Sequence, residues 1–366
     1  MGIPLHSKVR RILRSAINLL LVKLTKKESN LEQIPTDDIH RILIIRINYR
    51  IGNIIFLTPL INAIAQKIPH AKIDILIGAK FIAPILEPMN NVNIIYDAPR
   101  KLLKNPFQLY AKVKEINNNN YDLVISPITS SGSANISTML IKAKYKLGFY
   151  NKEVWSAADV VVPYPNQTKH EALKPLALLQ AFDKHNISLS KQLDINLSVD
   201  EKLKGNKILD ELFKKNGVIR ENKTVIGIFR DARHEKKIKN EWWTSFVEQV
   251  LIQDPSIIFI DILAPNDLDL IHPKSLSISF KNLRELGCFM SSLNFFICGD
   301  TGPMHLASAS NVPVIALFNA TSADNYGPLG TYDQDINILN LSILEVVKQT
   351  FLNIKNINNS KLKEIQ

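Results

Sequence analysis

The stretch FFICGDTGPMHLASASNVPVIALF, from Phe295 to Phe318, holds at its centre residue types suited to binding an anion. Gly299, Asp300, Thr301, Gly302 and Pro303 make a tight polar turn, and Met304 to Ser310 continues it as a helix of small residues. Thr301 is a good N-cap and Pro303 fits the first helical turn. A glycine-bearing turn that opens a helix directs free backbone N–H groups and the positive end of the helix dipole at one point, which suits a phosphate-bearing ligand. A glycine turn alone is equally well explained as chain reversal. Asp300 and His305 bracket this one at the carboxyl end of a strand, where open α/β sheets bind ligands.

The elements that must position these groups are apolar runs separated by helical periodicities. Asn294–Cys298 and Pro313–Phe318 read as buried parallel strands flanking the turn. Nearer the amino terminus, Arg41–Ile47 is an apolar strand, Asn48–Asn53 a loop, and a helix begins near Ile54 with Pro59 in its first turns. Ala71–Ile77 completes a right-handed β-loop-α-β unit. Further strands are expected at Val92–Tyr96, Tyr121–Ser126 and ending at Lys146–Phe149, with a helix over His170–Phe182.

A second series starts with Thr224–Phe229, a basic loop from Arg230 to Asn240, and a helix packed through Trp242, Trp243, Phe246 and Val250. It continues with a strand at Ser256–Leu263 and a helix at Leu283–Met290, then reaches the opening stretch; Ile343–Leu352 forms a last amphipathic helix before a frayed polar tail. The fold class is therefore α/β, with two Rossmann-like domains facing a cleft. The expected division is a basic amino-terminal helix and linker over 1–36, a first domain over 37–190, a junction over 191–222, a second domain over 223–345, and a terminal helix and tail over 346–366.

A chain of 366 residues fits two ordinary domains, and an apolar fraction of 46% supplies their cores. The net charge of +11 calls for an acidic partner. No zinc finger or RNP-type aromatic motif accompanies it, so phosphorylated ligands and anionic membrane rank ahead of nucleic acid. Val9, Ile12, Leu13, Ala16, Ile17, Leu20 and Leu24 recur at helical spacing among lysines and arginines. That pattern suits an interfacial helix on an anionic inner leaflet, or one docked on the protein's own surface. Cys288 and Cys298 lack CxxC spacing and read as buried thiols. HEALK at His170 and HEKKI at His234 begin like a zinc HExxH but lack the second histidine, so no metal is expected. There is no GxGxxG, GxxxxGK[ST] or GxSxG, which disfavours a dinucleotide oxidoreductase, a P-loop enzyme and an α/β-hydrolase.

The block Phe295–Phe318, with its Asp-Thr-Gly-Pro-Met-His, closely resembles the carboxyl-terminal signature of glycosyltransferase family 9, the bacterial lipopolysaccharide heptosyltransferases and their relatives. RILIIRINYRIGNIIFLTP, Arg41–Pro59, is similar to the family's strand, RIGD loop and Thr-Pro helix. The resemblance spans Arg41 to Pro328. It implies the two-domain glycosyltransferase B architecture and an inverting, metal-independent transfer from a nucleotide sugar, typically ADP-heptose, to a lipopolysaccharide core or related glycolipid. It also implies a protein peripheral to the inner face of the cytoplasmic membrane.

By the same resemblance, Asp300, Thr301, Gly302, Met304 and His305 serve the donor, with Asp300 toward sugar hydroxyls and His305 toward the diphosphate. Lys239, seven residues before Phe246, stands at the spacing of a donor-phosphate lysine, and Arg230 follows a strand end near the nucleotide. Beyond Gly52 the family's proposed base is an aspartate, and here the position is Asn53. An amide can hold a hydroxyl but cannot take its proton. Three explanations stay open: another group such as Asp231, His234 or Glu235 is the base, the leaving diphosphate takes the proton, or the protein binds sugar nucleotide without turning it over.

Overall fold

The computed structural model describes residues 33–102, 105–129, 131–151, 154–182, 189–264 and 270–365. The amphipathic stretch anticipated at the amino terminus lies outside the described residues through residue 32. Among the described residues no helix is long and apolar enough to cross a membrane.

The first half is a six-stranded parallel sheet in the order β3-β2-β1-β4-β5-β6, with β1 at Arg41–Arg46, β2 at Lys72–Ile77, β3 at Val92–Asp97, β4 at Tyr121–Ser126, β5 at Ala143–Tyr150 and β6 at Val160–Pro163. Its helices are α1 (Ile51–Ile55), α2 (Thr58–Lys67), α3 (Ala83–Leu86), α4 (Pro106–Asn117) and α5 (Gly132–Leu140). In β1, Ile42, Leu43, Ile44 and Ile45 are all buried, as a strand covered on both faces requires.

Helix α6 (Val199–Lys215) follows, opened by a capping box in which Ser198 Oγ accepts from the Glu201 N–H and Glu201 accepts from the Ser198 N–H. The second sheet has the order β12-β11-β10-β7-β8-β9. Its strands are β7 at Thr224–Phe229, β8 at Ile257–Leu263, β9 at Leu276–Ser279, β10 at Phe295–Gly299, β11 at Val314–Phe318 and β12 at Gln334–Asn337. Helices α7 (Asn240–Gln253), α8 (Leu283–Met290), α9 (Gly302–Ala309), α10 (Ala323–Tyr326) and α11 (Ile343–Ile365) complete it. Trp243 and Phe246 of α7 are fully buried against Val346, Val347 and Ile357 of α11, so the paired tryptophans belong to the core side of the helix.

In each sheet the strand order reverses beside the domain's first strand, between β1 and β4 and between β7 and β10. Open α/β sheets form their binding crevice at the carboxyl ends of the strands at such a switch point. The strand interiors agree with the sequence expectation. β6, β9 and β12 were not anticipated; each is a four-residue edge strand, too short for a periodic signal.

The helix expected over His170–Phe182 is not formed: the segment makes turns and then a 3₁₀ stretch at Lys174–Ala181. Pro175 has no N–H to give to Glu171 O, and the Leu173 and Leu176 N–H groups instead reach back three residues, to His170 O and Leu173 O at 3.1 Å each. The frayed tail is likewise corrected, since α11 is helical through Ile365. Ile357 is buried, Lys361 lies over the Phe295 and Tyr332 rings at 5.7 and 5.4 Å, and Tyr332 Oη donates to Glu364.

The junction is tied by one buried arginine. Arg284 of α8 donates to both Glu201 carboxylate oxygens at 2.7 Å each, to Ile195 O at 2.6 Å, to Asn196 O at 3.1 Å and to Ile85 O of α3 at 3.3 Å. It thereby holds the connecting segment, α6 and the first domain to the second. Cys288 and Cys298 are buried free thiols, and burial pushes both above the ordinary thiol range.

Candidate functional site

The two domains meet at the switch points. α1, which follows β1, packs against α9, which follows β10, so closely that a β-carbon on Gly52 would lie 2.5 Å from His305 Cδ2. One on Gly302 would lie 3.1 Å from Ile51 Cβ. This end-to-end contact brings the Asn53 loop and the Asp300 loop together. Beside it opens a cleft of about 250 Å³ lined by Arg46, Asn48, Asn53, the Pro127–Thr129 strand end, Ser131, Tyr164, Glu171, Lys174 and Tyr326, among others.

On the second-domain side, Thr301 caps α9, its Oγ1 accepting from the Met304 N–H at 3.4 Å, and Pro303 occupies the first turn. Met304 is fully buried, so it anchors the loop and does not present itself to a ligand. The Asp300 carboxylate is nearly buried and accepts hydrogen bonds at Oδ2 from Lys236 Nζ and Thr321 Oγ1. Lys236 Nζ also lies 5.6 Å from the centre of the Tyr326 ring, one wall of the cleft. The lysine set beside the Asp300 loop is therefore Lys236. Lys239, the expected one, is exposed at the N-cap of α7.

His305 is buried edge-on against Phe56, with ring centres 4.6 Å apart, and its Nδ1 has no hydrogen-bond partner among the described residues. Burial, opposed by the Asp300 charge, pulls its pKa down to about 3. At neutral pH the ring is uncharged, and it works as the packing surface for Gly52. Gly52→Ala should accordingly destabilise the protein by about 1–3 kcal/mol through overpacking, read by thermal unfolding.

Arg230 departs most from expectation. Its Nε and Nη2 donate to Asp261 at 3.2 and 2.7 Å, both residues are buried, and Asp261 also accepts from the Ile271 N–H at 3.1 Å. A buried bidentate pair of this kind organises the strand ends of β7 and β8. Asp231 pairs with Lys237 at 3.3 Å on an exposed loop, and His234, at φ 53°, and Glu235 are exposed; none of the three lines the cleft.

On the first-domain side, Asn53 lines the cleft and its backbone oxygen accepts from Arg46 Nε at 3.2 Å. Burial draws Arg46 down to about 10, countered by the Glu171 charge, so the guanidinium remains cationic at neutral pH. The segment after β6 then clasps the other domain. Lys169 pairs with Asp324 at 2.8 Å, His170 Nε2–H donates to Gly327 O at 2.9 Å, and the Glu171 N–H donates to Asn325 O. Accepting at Nδ1 while donating at Nε2 fixes His170 as one neutral tautomer, and burial lowers its pKa. Lys174 Nζ donates to Glu171 Oε1 and stands 5.4 Å from the Tyr164 ring.

Residue type and spacing had not singled out Arg46, Tyr164, Glu171, Lys174, Lys236 or Tyr326 as cleft or donor-loop residues. Two of them sit in HEALK, where only the start of a metal motif was considered. Its weak helix signal, with Pro175 close behind, was the available hint of a different task.

A sequence model described as glycosyltransferase family 9 (heptosyltransferase) matches residues 278–352. Over 326 residues the chain is 23% identical to lipopolysaccharide heptosyltransferase 3 of Escherichia coli, covering 80% of this chain and 92% of that protein. A family 9 glycosyl transferase from Veillonella parvula superposes with a TM-score of 0.72 at 17% identity, covering 87% and 97% of the two chains. The E. coli heptosyltransferase WaaC, solved with ADP, superposes with a TM-score of 0.65 at 16% identity, covering 86% and 99%. At these identities the structures establish the shared architecture, which is the expected glycosyltransferase B fold.

Proposed function

We propose that this chain, a member of glycosyltransferase family 9, moves a heptose or similar sugar from a nucleotide donor, ADP-heptose, to a lipopolysaccharide core or related glycolipid, with inversion at the anomeric carbon. The observation that carries the reading is the cleft itself. Arg46 and Lys174 line it, and the ring of its lining residue Tyr326 stands 5.6 Å from Lys236 Nζ, which pairs with Asp300 beside the capped start of α9. The Asp300 loop beside Tyr326 suits a diphosphate leaving group, and the cations lining the cleft suit an anionic acceptor. The ADP carried by the E. coli relative supports the choice of nucleotide.

In the reaction the acceptor hydroxyl oxygen attacks the anomeric carbon from the face opposite the diphosphate. The bond to the leaving oxygen breaks, and charge develops on the diphosphate where Lys236 and the α9 amides can meet it. The basic amino-terminal segment fits a protein held at the inner face of the cytoplasmic membrane, close to a lipid-borne acceptor.

Asn53 favours a second reading, a binding homologue that keeps the donor site and does not turn over. The deciding experiment is a thermal-shift comparison of ADP, UDP, GDP and CMP, followed by mass spectrometry of a core acceptor incubated with the matching sugar nucleotide. Selective stabilisation by ADP with a mass gain of one heptose is the expected result. Stabilisation without any gain would favour the binding homologue.

A further inference from the structure

We propose that Glu171 is the general base that deprotonates the acceptor hydroxyl, the role left open by the amide at position 53; this rests on the transferase reading above. Among the described residues lining the cleft, Glu171 is the only carboxylate. The other acids near the two loops, Asp300, Asp231 and Glu235, are not among the lining residues, and Asp300 is nearly buried between Lys236 and Thr321.

Glu171 is built to be held and yet reachable. Its side chain keeps 36% of its surface exposed, Lys174 Nζ engages Oε1, and its backbone N–H is anchored to Asn325 O of the other domain. The backbone of this residue is thus fixed to the second domain while Lys174 of the same segment orients its carboxylate. The Lys236 ammonium and the Asp300 carboxylate lie on one side of Tyr326, and Glu171 lines the same cleft on the first-domain side, facing the Arg46 charge. A sugar bridging from the donor loop into the cleft meets an acceptor there.

The step balances without any further reactant. The acceptor oxygen forms its bond to the anomeric carbon and its proton passes to Glu171 Oε2. The anomeric carbon–oxygen bond to the diphosphate breaks and its electron pair leaves on the nucleoside diphosphate. Glu171 then returns the proton to solvent.

The test uses the full chain with ADP-heptose and a core acceptor, comparing wild type, Glu171→Gln, Glu171→Asp, and Glu171→Gln combined with Asn53→Asp. Loss of a general base should lower kcat by about 10²- to 10⁴-fold in Glu171→Gln while leaving ADP affinity within about 2-fold. The acid limb of the kcat–pH profile should vanish, a readout that a structural role would not move. Glu171→Asp should retain that limb. Asn53→Asp in the glutamine background should recover at least about 10-fold, because a carboxylate returns to the same cleft.

A Glu171→Gln enzyme within about 3-fold of wild type, or one that is slow but keeps the acid limb, would overturn the assignment and leave the transferase reading standing. Such a result would point to the diphosphate as proton acceptor. Absence of transfer by the wild type from every donor tried would overturn the transferase reading, and this role with it.

Discussion

Lys236→Ala should lower kcat/KM for sugar transfer by about 10²- to 10³-fold, while Lys239→Ala stays within about 2-fold, because only the first removes a cation aimed at the donor loop. Both lysines lie in one basic run and both start from equal formal charge. What separates them is placement: Lys236 Nζ is bonded to the buried Asp300 carboxylate and sits over Tyr326, whereas Lys239 is exposed at the N-cap of α7. Steady-state kinetics and ADP titration of the two variants check it. Equal losses would mean that the loop acts as a diffuse positive patch, and a larger loss for Lys239 would favour the donor-phosphate role that the family resemblance implies for it.

Arg284→Met should destabilise the protein by about 3–5 kcal/mol, the usual cost of removing one partner from a buried pair, and lower the melting temperature by about 5 °C. The methionine fills much of the volume but leaves Glu201 without its cation and the Ile195 and Asn196 carbonyls without a donor. The pH dependence of stability should change with it. Hydrogen bonds from Arg284, with those from Ser198 added and burial opposing, hold the Glu201 carboxyl down to about 2, against an ordinary 4.5.

Between those two values the unfolded chain binds a proton that the folded chain does not, so the contribution of the pair is complete above the ordinary value and is lost as pH falls toward the folded one. Urea unfolding of wild type and Arg284→Met over that range should converge as the medium becomes acidic. Parallel curves would mean that the ion pair is not what Arg284 contributes.

How much of this was legible in the residues differs by element. Strands such as β1, β7 and β10 announce themselves because a parallel strand buried on both faces must be apolar throughout, and RILIIR, TVIGIF and FFICG are nearly so. The α9 cap was equally readable, since Thr301 and Pro303 act on amides within three residues of themselves. Arg230, Lys236 and Lys239 were not separable in this way. All three are cations near one strand end, and which of them meets Asp300 and which meets Asp261 depends on acids that lie 64 and 31 residues further along the chain.

The sequence by itself determined the two-domain α/β class and the capped turn at Thr301, because strand composition and capping are properties of residue type and short spacing, and an amide's lack of basicity at Asn53 is equally a matter of residue type. Only the tertiary structure decided that His305 is a neutral packing surface for Gly52, that His170 and Glu171 clasp the second domain, and that a carboxylate lines the cleft beside Asn53. Burial, charge pairing and access to a cleft arise when distant segments meet, and no local pattern in the chain records them.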